Sequence, residues 1–207
     1  MVLGGGLQGA GRGERTIVLA SSSPYRRALL ERLGLAFEVD RPLVDEDSPA
    51  WESADQTARR LAAAKAEVVA GRWPGAIVIG SDQCAARAGD GARLGKPGDA
   101  ASARRQLLAC SARAVVFHTG LCVIDVAAGR RWLAVEPFTV VLRALSEAEV
   151  ARYVDLERPY DCAGAFKAEG LGVTLFERTD GDDATSLVGL PLIRLCHFLR
   201  EAGVTLP

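Results

Sequence analysis

The chain has 207 residues, is 49% hydrophobic and 25% charged, and carries a formal charge of −1, which suits one domain with a sizeable core. That charge balance excludes a protein that coats nucleic acid. No apolar run reaches the roughly 20 residues of a membrane-spanning helix, and the Gly-rich start has no signal-peptide layout, so a cytoplasmic location is expected.

Residues 1–14 show no periodicity and read as a disordered leader, leaving 15–207 as a single domain. A buried strand is expected at Thr16–Ala20, followed by a hydroxyl-rich turn, Ser21–Ser23. A helix over Pro24–Leu33 comes next, with Pro at its first position and Gly34 past its end. A short strand at Phe37–Val39 leads into the acidic loop Pro42–Pro49, and 53–70 reads as an Ala-rich helix ending at Gly71. Ala76–Gly80 is a second buried strand, with Asp82 just beyond its C-terminal end, and Asp99–Cys110 is a third helix. Strands at 113–126 and 131–142 join at Ala128–Gly129 as a hairpin. Ser146, with Glu149 three residues on, opens a helix to about Leu156. The loop 158–172, a strand near 173–177, an acidic turn and an amphipathic helix over 187–201 complete the chain. Strands separated by helices, with one hairpin, predict an α/β fold whose sheet is mixed.

Gly4, Gly6 and Gly9 match GxGxxG, but no strand precedes them and no helix follows. The segment Gly91–Pro97 is one residue short of a P-loop, and Pro97 stands where the Mg2+-holding hydroxyl belongs. His118 and His197 are the sole histidines and there is no GxSxG, so neither a His/Cys zinc site nor Ser/His/Asp hydrolysis is expected. The five Cys are widely spaced without CxxC and read as reduced thiols. Any metal should therefore be a hard ion held by carboxylates and phosphate.

Several segments point to anion chemistry. The turn Ser21-Ser22-Ser23 precedes a helix carrying Arg26 in its first turn; this opposes the helix dipole and needs a compensating anion. Lys65 follows Leu61 by four residues, on the inward stripe of its helix, and either snorkels out or enters a polar cleft. Gly80-Ser81-Asp82 ends a buried strand, where acidic groups face ligand crevices. Lys96 sits in the rigid Gly95-Lys96-Pro97 loop, and Lys167 and Glu169 lie in the Gly-punctuated loop Asp161–Gly172. The acidic run Val44–Asp47 could be plain surface or could add a carboxylate to Asp82. Cations for phosphates, carboxylates for a metal and for water activation, and a loop for a base describe a nucleoside triphosphate cleft without a P-loop.

The ordered segments LASSSPYRRALLERLG, VDE, LAAAKA, VIGSDQ, LGKPGD, FHTGL, DCAGAFKAEGLG and SLVGLPL, spread over 16–200, resemble the Maf family of nucleoside triphosphate pyrophosphatases. The resemblance implies an elongated two-lobed α/β fold with a mixed sheet around a central nucleotide cleft, usually a homodimer. It also implies hydrolysis between the α and β phosphates to a monophosphate and pyrophosphate. Position by position, it makes Asp82 the proton acceptor and part of a Mg2+ or Mn2+ site with Glu46. It makes Arg26, Lys65 and Lys96 the phosphate-contacting cations, with Ser21 in the phosphate turn. Tyr25, Gln83 and Glu169 stand where the family's branches differ, and an aromatic, Gln and Glu resemble the 7-methyl-GTP branch rather than the dTTP/UTP branch, although Tyr25 replaces an expected Trp. The alternatives kept open are a dTTP/UTP pyrophosphatase and a nucleotide-binding regulator of cell division that does not cleave. Lys167 has no assigned role.

Overall fold

Seven strands form one mixed sheet in the computed structural model, which describes residues 15–49 and 51–207; the expected disordered leader, 1–14, lies outside the described residues. The strands are β1 (Ile17–Ala20), β2 (Glu38–Asp40), β3 (Ile77–Arg87), β4 (Arg93–Leu94), β5 (Ala114–Asp125), β6 (Arg130–Leu142) and β7 (Phe176–Asp180). They are ordered β2-β1-β3-β5-β6-β7, with β4 beside the far end of β3. β1 runs parallel to β2 and β3, and every other pairing is antiparallel. The helices are α1 (Pro24–Glu31), α2 (Ala54–Ala70), α3 (Ala100–Ala109), α4 (Glu147–Glu157), α5 (Ala184–Val188) and α6 (Leu192–Glu201). Among the described residues no helix is long and apolar enough to cross a membrane.

The core is divided along the long strands. At one end, Leu19, Ile77, Ile79, Leu121 and Val123 pack with residues of α1 and α6, while Val18, Val78 and Cys122 pack with α2. At the other end, Ala85, Val115, Phe117, Val140 and Leu142 pack with α3 and α4. β3 thus passes through both halves, and Ser81, Asp82 and Gln83 fall at the seam between them. On the α2 side, the Ala-rich helix lies very close to the sheet. A Cβ at Gly80 would stand 2.4 Å from the Ala62 carbonyl oxygen, and one at Gly120 would stand 2.1 Å from that of Ala58. Only glycine permits that approach, and the approach carries Lys65 to the sheet.

Several expected boundaries are corrected. The second strand does not stop at Gly80: all of Ile77–Arg87 pairs with β5, so Asp82 is a mid-strand residue opposite Gly120 rather than one beyond a strand end. Gly, Ser and Asp are weak strand formers, and the long-range ladder overrides that preference. The two-residue strand β4 was not anticipated. The strand expected near 173–177 begins at Phe176, because Leu171–Leu175 coil into a 3-10 turn. The single helix expected over 187–201 is two, since Gly189 adopts φ 111° at the end of α5 and Pro191 stands at the start of α6. The hairpin at Ala128–Gly129 is present, with Gly129 at φ 61° and the Asp125 carboxylate accepting from the Ala128 N–H.

Candidate active site

A cleft of about 830 Å³ opens at the seam, and Ser21, Tyr25, Arg26, Glu46, Lys65, Asp82, Gln83, Lys96 and Glu169 all line it. At its centre the Lys65 Nζ lies 2.6 Å from Asp82 Oδ1 and 2.7 Å from Glu46 Oε1. Lys65 is 5% exposed and Asp82 7%, so the Lys65 side chain enters the cleft instead of snorkelling outward. Burying one cation between two carboxylates is tolerable only because each charge is paired. Burial alone would push the Glu46 carboxyl up, but the hydrogen bond from Lys65 and the charges of Lys65, Lys96 and Arg26 outweigh it, and its pKa falls below the ordinary range. Asp82 spends Oδ1 on Lys65, while Oδ2 has only the Cys84 thiol, 4.0 Å away, as a neighbouring donor.

The phosphate-type turn is built by α1 and α5 together. Ser23 caps α1, accepting from the Arg26 N–H, and the buried Ser21 hydroxyl accepts from the Ser23 N–H at 3.1 Å. Arg26 Nε donates to the Gly189 carbonyl at 2.8 Å, which leaves the rest of its guanidinium directed elsewhere. Desolvation lowers the Arg26 pKa from its usual value, and Asp82 and Glu46 oppose that shift. Ser81, fully buried, holds the same carbonyl at 2.9 Å, so the α5 terminus aligns both the sheet and Arg26. Lys96 is exposed on the loop after β4. The Gln106 Nε2 donates to the Gly95 carbonyl at 3.1 Å, and the Gly98 N–H donates to the Tyr160 carbonyl at 3.0 Å, which pins that loop on both sides of Lys96.

The opposite wall is acidic and aromatic. The Tyr25 hydroxyl donates to Asp161 Oδ2 at 3.3 Å, and desolvation followed by the nearby Cys162, Asp161 and Glu169 raises its pKa. Burial, and then Asp161, push the Cys162 thiol up to about 12, so it stays protonated. Gln83 gives its Nε2 to the carbonyls of Ser186 and Leu187 at 2.8 and 3.1 Å and to the Thr119 hydroxyl, which leaves Oε1 for any ligand contact. Glu169 is exposed.

No group of three or more His, Cys, Asp or Glu residues is gathered for an all-protein metal site among the described residues. Glu46 and Asp82 supply two hard oxygen donors side by side. This suits Mg2+, which is commonly held by one or two carboxylates together with substrate phosphates and water.

Over residues 16–202 the chain matches the family model described as Maf-like protein. The chain belongs to the Maf-like family. This Maf-like chain is 56% identical over 191 residues to a Pseudomonas aeruginosa protein named 7-methyl-GTP pyrophosphatase, covering 92% of the chain and 98% of the relative. Proteins of the same name from Pseudomonas syringae pv. tomato and Chromohalobacter salexigens are each 50% identical, covering 93% and 91% of this chain and 99% and 96% of theirs. Its fold is similar to a HAM1 protein from Coxiella burnetii (TM-score 0.51, 15% identity, 90% of this chain and 99% of that one). A Ham1 protein from Staphylococcus aureus gives the same TM-score of 0.51 at 12% identity, with 91% and 100% covered.

Some features of this Maf-like cleft escaped the sequence reading. Glu52 is buried, bound by Arg60 Nε and Nη2 at 2.7 Å each and by the Thr57 hydroxyl at 2.8 Å, and Arg60 also donates to the Asp47 carbonyl. This clasp ties the acidic loop carrying Glu46 to α2. The spacing Glu52-x4-Thr57-x2-Arg60 was visible, but nothing local distinguishes it from ordinary helix-surface charge. The carbonyls of Ser186 and Gly189 have no side-chain signature at all.

Proposed function

We propose that this Maf-like protein hydrolyses the α–β phosphoanhydride of 7-methyl-GTP, giving 7-methyl-GMP and pyrophosphate. The observation that carries the reading is that one cleft joins the Lys65-bridged carboxylates Asp82 and Glu46 to the wall bearing Tyr25 and Glu169. The near full-length similarity to relatives named 7-methyl-GTP pyrophosphatase supports the same substrate.

In this reading Arg26, Lys65, Lys96 and the Ser21 turn hold the triphosphate. Cleaving an anhydride depends mainly on positioning and charge neutralisation, so cations on the phosphates are the principal need. Asp82 accepts a proton from the attacking water at Oδ2, the oxygen that Lys65 does not occupy. Lys65, 2.6 Å from Oδ1, fixes the carboxylate's orientation. Glu46 and Asp82 would hold a Mg2+ or Mn2+, which when bound supplies charge neutralisation on the phosphate oxygens. At the other wall, Tyr25 faces a base made cationic by N7 methylation, and a cation–π contact of this kind contributes about 0.5–2 kcal/mol. The Glu169 carboxylate accepts from guanine N1–H and the exocyclic amine, a paired arrangement a pyrimidine cannot repeat.

The test is a substrate panel of 7-methyl-GTP, GTP, UTP and dTTP with Mg2+, reading pyrophosphate and orthophosphate separately. Fastest pyrophosphate release from 7-methyl-GTP is expected. Preference for UTP or dTTP would overturn the base assignment, and orthophosphate as the first product would overturn α–β cleavage.

A further inference from the structure

Lys167, the remaining lysine of the chain, does not turn its ammonium to the phosphate cations. Its Nζ lies 3.4 Å from the Glu157 carbonyl and 3.9 Å from Glu157 Oε1, at the C-terminal end of α4. The same Glu157 carboxylate reaches across to the other side of the loop, where Oε2 accepts from the Leu171 N–H at 2.7 Å. Between these two anchors lies Glu169. The backbone closes on itself there as well: the Gly170 and Gly172 N–H groups both donate to the Lys167 carbonyl, at 3.2 and 3.0 Å. From beneath, the Tyr153 hydroxyl, 4% exposed, accepts from the Lys167 N–H at 3.0 Å.

Two glycines make the clasp tight. A Cβ at Gly170 would stand 2.7 Å from Glu157 Oε2, and one at Gly172 would stand 2.2 Å from the Lys167 carbonyl oxygen. Glu157 and Lys167 have side chains only 16% and 20% exposed, so the pair is shielded enough to hold one geometry. Glu169 itself has no hydrogen bond or ion pair among the described residues and faces the cleft, 12 residues after Glu157 in the chain. An exposed carboxylate on a free loop would sample many positions. One on a loop fastened on both sides presents its oxygens in a defined place, and small misplacements of a binding group weaken recognition sharply.

We infer that Glu157, through Lys167 and the Leu171 N–H, is a positioning residue that sets guanine discrimination by holding the Glu169 loop in register with the cleft. The inference rests on the reading of Glu169 as the base-recognising carboxylate. It gives Lys167 a role separate from those of Lys65 and Lys96: an internal counter-ion that keeps the Glu157 carboxylate bound to a loop already carrying a second acidic group.

The experiment compares steady-state kinetics on 7-methyl-GTP and UTP for the full chain and for Glu157→Ala, Glu157→Gln, Gly170→Ala and Glu169→Gln, with thermal melting of each. Glu157→Ala is expected to raise KM for 7-methyl-GTP about tenfold with little change in kcat. UTP turnover, which does not use Glu169, is expected to stay within about twofold. Glu157→Gln keeps an acceptor for the Leu171 N–H and should recover most of the preference. Gly170→Ala, which pushes the carboxylate off the loop, should reproduce the loss. Parallel loss on both substrates, or unchanged preference in Glu157→Ala and Gly170→Ala while Glu169→Gln abolishes it, would overturn the inference and leave the base reading standing. Unchanged preference in Glu169→Gln would overturn the base reading itself, and the inference with it.

Discussion

At one end of the cleft Ser21, Lys65 and Asp82 are 3%, 5% and 7% exposed and stand on the β1–α1 turn, α2 and β3; at the other, Glu169 is exposed on a loop pinned by side chains from α4. The buried end is held by the sheet itself. Gly80 and Gly120 let α2 approach until Lys65 meets Asp82, and moving either group would require moving a strand or a helix. The exposed end depends on a few hydrogen bonds and one ion pair. Under the proposed function the labour is divided: the buried pair Lys65 and Asp82, central to anhydride cleavage, sits on a helix and a strand, whereas base choice sits on a loop that can change without disturbing the core.

Substitutions can break that division at either end. The largest effect is expected at Asp82. Asp82→Asn retains the shape and loses the proposed proton acceptor, so kcat should fall about 10²–10⁴-fold on every nucleotide tested, with base preference unchanged. Steady-state assays on 7-methyl-GTP and GTP will read both quantities. Next is Lys65→Met, which leaves Asp82 and Glu46 facing each other without their shared cation. Removing one partner from a buried charge set costs about 3–5 kcal/mol, to be read as reduced stability in urea unfolding together with loss of activity. A smaller effect belongs to the base wall. Tyr25→Ala should raise KM for 7-methyl-GTP about 2- to 30-fold and leave GTP less affected, because an unmethylated guanine is not cationic.

The smallest effect concerns acid. Arg60, against the cost of burial and with help from Thr57, holds the Glu52 carboxyl at about 2, well below its ordinary 4.5. A carboxyl depressed on folding stabilises the native state above its unfolded pKa and loses that contribution as pH falls through the folded one. The clasp should therefore stay at full strength down to about pH 4.5 and fade between there and about pH 2. Melting temperatures against pH for the parent chain and Glu52→Gln should converge toward pH 2, with the variant lower above pH 4.5 and its profile flatter between pH 4.5 and pH 2. A constant offset across the whole range would mean that the Glu52 charge does not matter.

The parts of this architecture that could be read from sequence are those written in local periodicity and short motifs. β1, α1, the Ala-rich α2, the β5–β6 hairpin and the capped α4 were all legible because their apolar spacing and end signals are local. Residues 80–87 were not, because Gly80-Ser81-Asp82 looks like a strand end and becomes mid-strand only through pairing with β5. The break at Gly189 was missed because the apolar pattern runs on through it. For the cleft, residue types and motifs named the lining side chains, yet the pairing of Lys65 with both Asp82 and Glu46 depends on how closely α2 meets the sheet. Glu157 was invisible altogether: an acidic residue in the last turn of a helix carries no sign that a loop 14 residues later will close on it.

The division between the two ends is tested most directly by assaying Asp82→Asn and Glu169→Gln side by side on 7-methyl-GTP, GTP and UTP, reading pyrophosphate release. The structure leads us to expect that Asp82→Asn lowers kcat by a similar factor on all three and that Glu169→Gln chiefly narrows the guanine-to-pyrimidine ratio. A change of base preference in Asp82→Asn, or an equal loss on all three nucleotides in Glu169→Gln, would contradict it.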